Sequence, residues 1–485
     1  MNIRSIIHTT KTTRILGVAG SFGLLAALVL GCSSSVLPGT ATNINSPAAT
    51  VPVLITDAPS DQLVAFTLTL NSITLTDSAG QTASILPTAT TIEVCHLNGI
   101  QAPLVTASIP QDTYTSAVIT FSNPQITYIN SSGQPVSVTP TLATTSFTFT
   151  FPTPFTVNNS STSLLVDLLA GKSVAISGTT VTVTPVFSIK PVPPAAAAPP
   201  PSQNGTGMQQ MATVVSVSGT SVTLQPGSGP NFTVTTNSAT ILQGPNFTSL
   251  SALTAGEIVQ VDFIVQSGGT YLATRIQIPP PPTNGQQPNM ISGPVTSVSS
   301  GSFKMALMQG LGPAVSPVAA SAVSVVTVTT TGSTTFAIAP QFVTLTGLPF
   351  TPSFTSSNLV AGQTVGVVTS AFSASSGTAT ASTVYLAPQT VNGTVTAIAT
   401  SGAYTAYTFS LASGSAFSSL SGATTITVYT GAATAPPPGA TASGASAPPP
   451  IGVGSTVRFN GLIVNLGSGS FAMVAGCSPD GPPGI

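Results

Sequence analysis

Tryptophan is absent, and cysteine, histidine and charge are nearly so: 485 residues carry three cysteines, two histidines and only 4% charged side chains. Ordinary soluble chains devote about 25% of their residues to charge. Binding to phosphate backbones needs clustered Lys and Arg, and no cluster exists, so nucleic acid is excluded as a natural partner. The cysteines, Cys32, Cys95 and Cys477, form neither a disulfide framework nor a C-x-x-C metal motif. A Cys95–Cys477 bridge would require two distant regions to dock, which the geometry of a disulfide disfavours. The chain has no G-x-S-x-G, no H-E-x-x-H and no Walker loop. Glycine-rich pieces such as GSGP and GSGS do not open helices, so they build no phosphate cradle.

Threonine, serine, valine and alanine fill the space that charge leaves, with 44 glycines and 43 prolines. Hydroxyls donate to and accept from water, so such a surface is still wetted. β-branched Thr and Val restrict χ1 and suit pleated sheets. Apolar residues alternate at period two from about Val51 to Lys190. Phe66, Leu68 and Leu70 share one face, and after Asn71-Ser72 the phase flips to Ile73 and Leu75, which predicts a bulge. Phe147, Phe149 and Phe151 form a second stripe, and Val181, Val183, Phe187 and Ile189 a third. Only Leu164–Ala170 reads as a short helix. Short strands between turns such as DAPSD, DSAG, NSSGQP and ISGT predict an all-β sandwich or barrel.

At the N-terminus, Arg4, Lys11 and Arg14 precede the apolar run Ile15–Leu30, a basic region followed by a core of signal-peptide length. That run is shorter than the roughly 20 residues a spanning helix needs, and Gly17, Gly20 and Gly23 weaken it further. Val29-Leu30-Gly31-Cys32 resembles a bacterial lipobox. The resemblance implies cleavage after residue 31 and lipid attachment at Cys32, with export to the cell envelope. Ser33, with no Asp beside the cysteine, implies the outer membrane. Two or three acyl chains anchor stably, at about 0.8 kcal/mol per buried methylene. Without residues 1–31, five basic side chains face nine acidic ones, a net charge of −4. Residues 32–50 read as a flexible tether.

The segments LITDAPSD, LNSITL, EVCHLNG, IPQDTYTSAVITF and LLVDLLAGKSVAI resemble bacterial domain of unknown function 4382, which implies an immunoglobulin- or transthyretin-like β-sandwich over residues 51–190. Cys95-His96 departs from that pattern. A Pro/Ala linker follows over 191–210. Three repeats are then expected over 211–278, 291–388 and 389–477, with a Pro-rich linker at 279–290, an insertion at 435–450 and a tail at 478–485. Each opens on a strand such as ATVVSVSGTSVTL and later carries a glycine turn: LTAGEIVQVDF, LVAGQTVGVVT or IGVGSTVRFNG. The repeats resemble domain of unknown function 5666, which implies small β-barrels strung as separate beads.

Few side chains invite chemistry. A Ser-His-Asp triad would have to use His96, with Asp57, Asp61, Asp77 or Asp112 as orienter; the simpler expectation is a strand-edge imidazole. Cys95 and His96, as strand neighbours, would point to opposite faces and share no metal. Asp57 and Asp61 are weak calcium candidates, but Asp57-Ala58-Pro59 reads better as a turn in which the carboxylate accepts backbone N–H groups. Asp167 reads as a structural acceptor. Scattered tyrosines without tryptophan give only slender support for sugar binding. The composite expectation is a lipid-anchored envelope protein without catalytic residues, cofactor or metal, with a structural, adhesive or scaffolding role. A carbohydrate- or small-ligand-binding module is the alternative, and an exported hydrolase using His96 a distant third.

Overall fold

The computed structural model describes residues 46–57, 60–97, 100–130, 132–158, 162–192, 210–227, 229–244, 246–278, 289–312, 325–338, 345–412, 414–431 and 451–475. Cys32, Cys477, the tether before Ser46, most of the three Pro-rich segments and the tail lie outside these residues. Among them, the chain is built almost wholly of strands.

The first module is a sandwich. One sheet orders Phe187–Val192, Ser163–Leu168, Ala48–Asp57 and Ala102–Pro110, with the central pair parallel. The facing sheet centres on the long strands Leu63–Asp77 and Thr113–Ile129. The expected phase flip is present: pairing between these strands slips at Leu70/Ser72, leaving Asn71 exposed. Phe66, Leu68, Leu70, Ile73 and Leu75 all therefore point into one core. Without that bulge, period two would turn Ile73 and Leu75 to water. Phe187 stacks between Phe121 and Phe147 at 5.9 and 5.7 Å. The segment expected as a helix differs: Ser163–Leu168 is a strand, and a helical turn occupies Ala170–Ser173. Its alternation, with Leu164, Val166 and Leu168 buried, is a strand pattern that a leucine-rich composition had masked. The first strand begins at Ala48, inside the segment expected as tether.

Three five-stranded barrels follow. Their strands are Gln210–Ser218, Ser221–Pro226, Phe232–Thr235, Ile258–Val265 and Tyr271–Gln277 in the first; Asn289–Ser299, Ser302–Ala306, Val325–Thr329, Thr364–Ser373 and Thr378–Leu386 in the second; and Gln389–Ser401, Tyr404–Leu411, Thr425–Gly431, Thr456–Gly467 and Ser470–Ala475 in the third. In each, the ring runs first, second, third, fifth, fourth and back to first, with the third and fifth strands parallel. This is the Greek-key arrangement of OB-type barrels.

The glycine turn has a physical job that is the same in all three. Gly256, Gly362 and Gly454 adopt φ of +90°, +95° and +89°, a region that side chains disfavour. Their N–H groups donate to the carbonyls of Val214, Val295 and Val395, each at 2.8 Å. The next residue in each turn accepts back from the same valine's N–H. In every barrel the first strand bulges just after that valine. The turn thus fills the gap that the bulge opens and joins the fourth strand to the first. The residue after the glycine also caps the turn, through Glu257 Oε2, Gln363 Oε1 or Ser455 Oγ.

The modules do not stand as separate beads. Leu54 and Leu165 of the sandwich pack into the first barrel's cluster, and Leu462, Val464 and Val474 of the third barrel join the second barrel's core. Gln363 Nε2, fully buried, donates to the Ile463 carbonyl at 2.9 Å across that junction. Burying an apolar side chain such as Leu462 is worth about 2 kcal/mol, whereas the closure cost of a connection grows only logarithmically with its length. Packing therefore wins over the independence that proline linkers suggested.

A glycine in the first strand of the third barrel is also required by space. A Cβ on Gly393 would overlap the Ser410 carbonyl oxygen of the neighbouring strand. Gly393→Ala should therefore cost about 2 kcal/mol, the scale of overpacking a tight core. A lowered urea midpoint is the expected result, and an unchanged midpoint would contradict the close approach.

Candidate functional site

The strand Thr90–Glu93 ends in a single 3-10 turn, Cys95–Leu97, and this turn is built around one carboxylate. Glu93 Oε1 accepts from the amides of Phe66 (2.9 Å) and Cys95 (3.0 Å). Its Oε2 accepts from the His96 amide at 3.1 Å and from His96 Nδ1 at 2.8 Å. Four donors on one buried carboxylate offset the cost of removing it from water. Thr56 Oγ1 donates to the Leu97 carbonyl at 3.3 Å, tying the turn to the first strand.

Cys95 and His96 therefore do not alternate across a strand, and the expected exposed imidazole is buried, at 7% exposure. The turn winds the backbone so that both side chains face inward. Glu93, not an aspartate, orients the ring. It stands three residues before His96, the spacing at which one turn brings side chains together, and sequence reading passed over it. In a neutral ring, donation from Nδ1 leaves Nε2 as a lone-pair acceptor, and that atom has no partner among the described residues. A carboxylate-held imidazole is half of a general-base device, but the other half, a hydroxyl or thiol within reach of Nε2, is not present among the described residues. Burial pushes the Cys95 thiol well above its ordinary range, and Glu93 and Asp57 add to the shift. It is kept from the thiolate form that nucleophilic chemistry needs.

The acidic residues separate into distinct roles. Asp77 makes an Asx turn: its Oδ1 accepts from Ala79 N (2.8 Å) and Gln81 N (2.7 Å). Asp112 Oδ1 accepts from Thr113 N at 2.7 Å. Asp57 lies buried at the end of the first strand, and neither carboxylate oxygen has a hydrogen-bond partner among the described residues. The turn expected at Asp57-Ala58-Pro59 runs through residues 58 and 59, outside the described residues; the first strand carries Asp57 itself inward. Burial raises its pKa well above normal, and Asp167 on the adjoining strand raises it further. Arg458 of the third barrel, and the Ala170 amide nearby, work the other way without cancelling the effect. Asp61 turns to the third barrel, where Oδ2 accepts from Asn392 N (3.0 Å) and Oδ1 from Asn392 Nδ2 (2.9 Å). Asp57 and Asp61 thus build no shared oxygen shell, and no group of three or more His, Cys, Asp or Glu side chains among the described residues is arranged to hold a metal ion. Asn392 and Arg458 escaped the sequence reading because no local pattern joins positions 331 residues apart.

Against known families, residues 48–185 match Domain of unknown function (DUF4382), and residues 212–277 match Domain of unknown function (DUF5666). The first match covers most of the sandwich and the second the first barrel. No curated protein matches the chain. One solved structure, described as Drosophila Unr CSD456, aligns over 55% of this chain and 94% of its own length, with 12% identity and a TM-score of 0.12.

The folded protein holds the Asp57 proton more tightly than the unfolded chain does. This contribution is complete below the ordinary aspartate pKa and is lost as pH rises through the shifted one. Asp57→Asn, which mimics the protonated acid, should accordingly raise Tm at pH 8 and leave it unchanged near pH 3. A fall in Tm at pH 8 would instead show that the fold uses an anion at this position.

Proposed function

We propose that the protein is an exported, lipid-anchored component of the bacterial cell envelope that serves a structural, adhesive or scaffolding role without catalysis. The observation that carries this reading is Val29-Leu30-Gly31-Cys32 behind a basic segment and a short apolar run. The character of the folded part supports it. Hydroxyl pairs bridge neighbouring strands on exposed faces, as in Thr69–Thr91 (2.9 Å), Thr113–Thr156 (3.0 Å) and Thr223–Thr233 (3.0 Å). Such ladders stabilise sheets by a few tenths of a kcal/mol or more per pair and remain wetted without charge. The single histidine after Cys32 is spent on a buried structural contact, which favours a non-enzymatic role.

The anchor is tested in cells given a clickable fatty acid. The protein should take up label, and Cys32→Ala should lose it and enter the soluble fraction. Labelling that persists in Cys32→Ala would overturn the reading.

Binding of a carbohydrate or another polyhydroxylated small ligand is a second reading, favoured by one patch on the first barrel. Gln260 faces Gln277, and Asp262 faces Arg275, across its fourth and fifth strands. Arg275 Nη2 meets Asp262 Oδ2 at 2.6 Å, yet Gln260 Nε2, Gln277 Oε1, Asp262 Oδ1 and Arg275 Nε are buried without partners among the described residues. Two donors beside two acceptors complement vicinal hydroxyls, each of which both donates and accepts. A glycan array probed with the soluble chain should give hits that Gln277→Ala abolishes. Hits that survive this substitution would move binding elsewhere, and an array without hits would remove this reading.

A further inference from the structure

One sheet of the sandwich ends on a strand whose outer side pairs with nothing among the described residues. Ser146–Thr156 pairs with Thr113–Ile129 alone. Which of its backbone groups look outward follows from one hydrogen bond. The Phe121 amide donates to the Thr145 carbonyl at 3.0 Å, so residue 145, and with it 147 and 149, turns toward the neighbouring strand. In an antiparallel pair the alternate residues direct both N–H and C=O the other way. Ser146, Thr148 and Thr150 therefore present theirs to the open side, and all three are exposed. At Ser146 the Thr144 hydroxyl stands in for a partner strand, donating to the carbonyl at 3.0 Å and accepting from the amide at 3.4 Å. Other edges of the sandwich are guarded. Phe187–Val192 carries Lys190 and Pro191, Ala102–Pro110 carries Pro103 and Pro110, and Thr82–Leu86 and Pro135–Val138 are short. Residues 146–151 hold neither charge nor proline, and Pro152 and Pro154 remove donors only from the half beyond them.

We propose that this edge pairs with the same edge of a second copy of the chain, antiparallel about a two-fold axis at Thr148. The pairing goes beyond attachment to the envelope and does not depend on it. Register argues for a second copy as the occupant. Thr148 then faces Thr148 of the second copy and Ser146 faces its Thr150, so every outward N–H and C=O between them finds a partner. Sliding by two residues loses bonds, because it sets either Pro152 opposite Ser146 or residue 144, ahead of the strand, opposite Thr150. Sliding by one sets the outward groups against residues 147 and 149, whose own groups are already paired. The side chains agree with the same register. On the outer face hydroxyl meets hydroxyl, as in the pairs Thr69–Thr91 and Thr113–Thr156 within the chain. On the inner face Phe147 meets Phe149 of the second copy. Both rings are half-buried against the core, and pairing covers the part of each still in water. A charge near the axis would face its own copy, and residues 146–156 contain none. The contact uses up the edge in both copies, so association stops at the dimer. A junction of two short strands buries less than the roughly 1,200 Å² of stable complexes, which makes the dimer weak and rapidly exchanging.

Sedimentation velocity of the full chain in detergent, from about 1 μM to 1 mM, should show a monomer–dimer equilibrium. Thr148→Lys should weaken the dimer by about tenfold or more, since two ammonium groups would then face each other at the axis. Thr148 is exposed, so this change spares the fold. Cross-linking reads the register. Opposed residues of such a pair lie about 5.5 Å apart at Cα, within disulfide reach. Under mild oxidation Thr148→Cys should give a covalent dimer above the background that the wild-type cysteines set. Thr150→Cys should not, because its two copies lie about 13 Å apart along the strands. Mixed with Ser146→Cys, however, it should. A chain that stays monomeric over the whole range would overturn the proposal, and so would a dimer that Thr148→Lys leaves unchanged. Thr150→Cys that cross-links to itself as readily as Thr148→Cys would overturn the two-fold axis at Thr148. Should Thr148→Lys fail to fold, the cysteine variants decide alone: covalent dimer from Thr148→Cys but not Thr150→Cys upholds the pairing, and any other pattern refutes it.

Discussion

An all-β chain with 4% charge faces one constraint before any other, the exposed strand edge. Charged side chains, lysine above all, are the usual guard against edge-to-edge pairing, and this chain has few to spend. Closure is the alternative, because a ring has no edge. Each barrel closes by pairing its fourth strand with its first, and the αL glycine bonded to the bulged valine sets where that pairing begins. The bulge and the glycine are interdependent. The bulge bends the first strand so that five strands complete a ring, and the turn supplies the backbone partners that the bulge would otherwise lack. The three repeats are similar because each solves the same closure problem.

Scarcity of charge also changes where carboxylates go. Asp57, Asp61, Glu93 and Asp262 are all buried, although such groups are seldom buried without a partner. Their fates differ by the number of donors supplied. Glu93 receives four and organises a turn; Asp61 receives two from Asn392 and joins modules; Asp262 has one arginine; Asp57 has only the weak influence of the Ala170 amide among the described residues. Local structure meets its donors within a few residues, whereas a junction must find them in another module.

The sequence made visible what depends on near neighbours. Alternation exposed the stripe Phe66, Leu68, Leu70 and the flip to Ile73 and Leu75, because side-chain period and register are local properties. The repeated glycine turns were visible for the same reason, though not the valine that each one bonds. Leu164–Leu168 deceived because leucine suits helices and strands alike, and only the parallel partner Ala48–Asp57 decides. The burial of Asp57 was hidden because nothing local shows that its strand carries the carboxylate inward. His96 was read from strand periodicity, but Glu93 ends the strand and turns the chain. The junctions were illegible. Proline-rich connections argue for separation, and nothing in them reveals that Leu462 completes the core of another barrel.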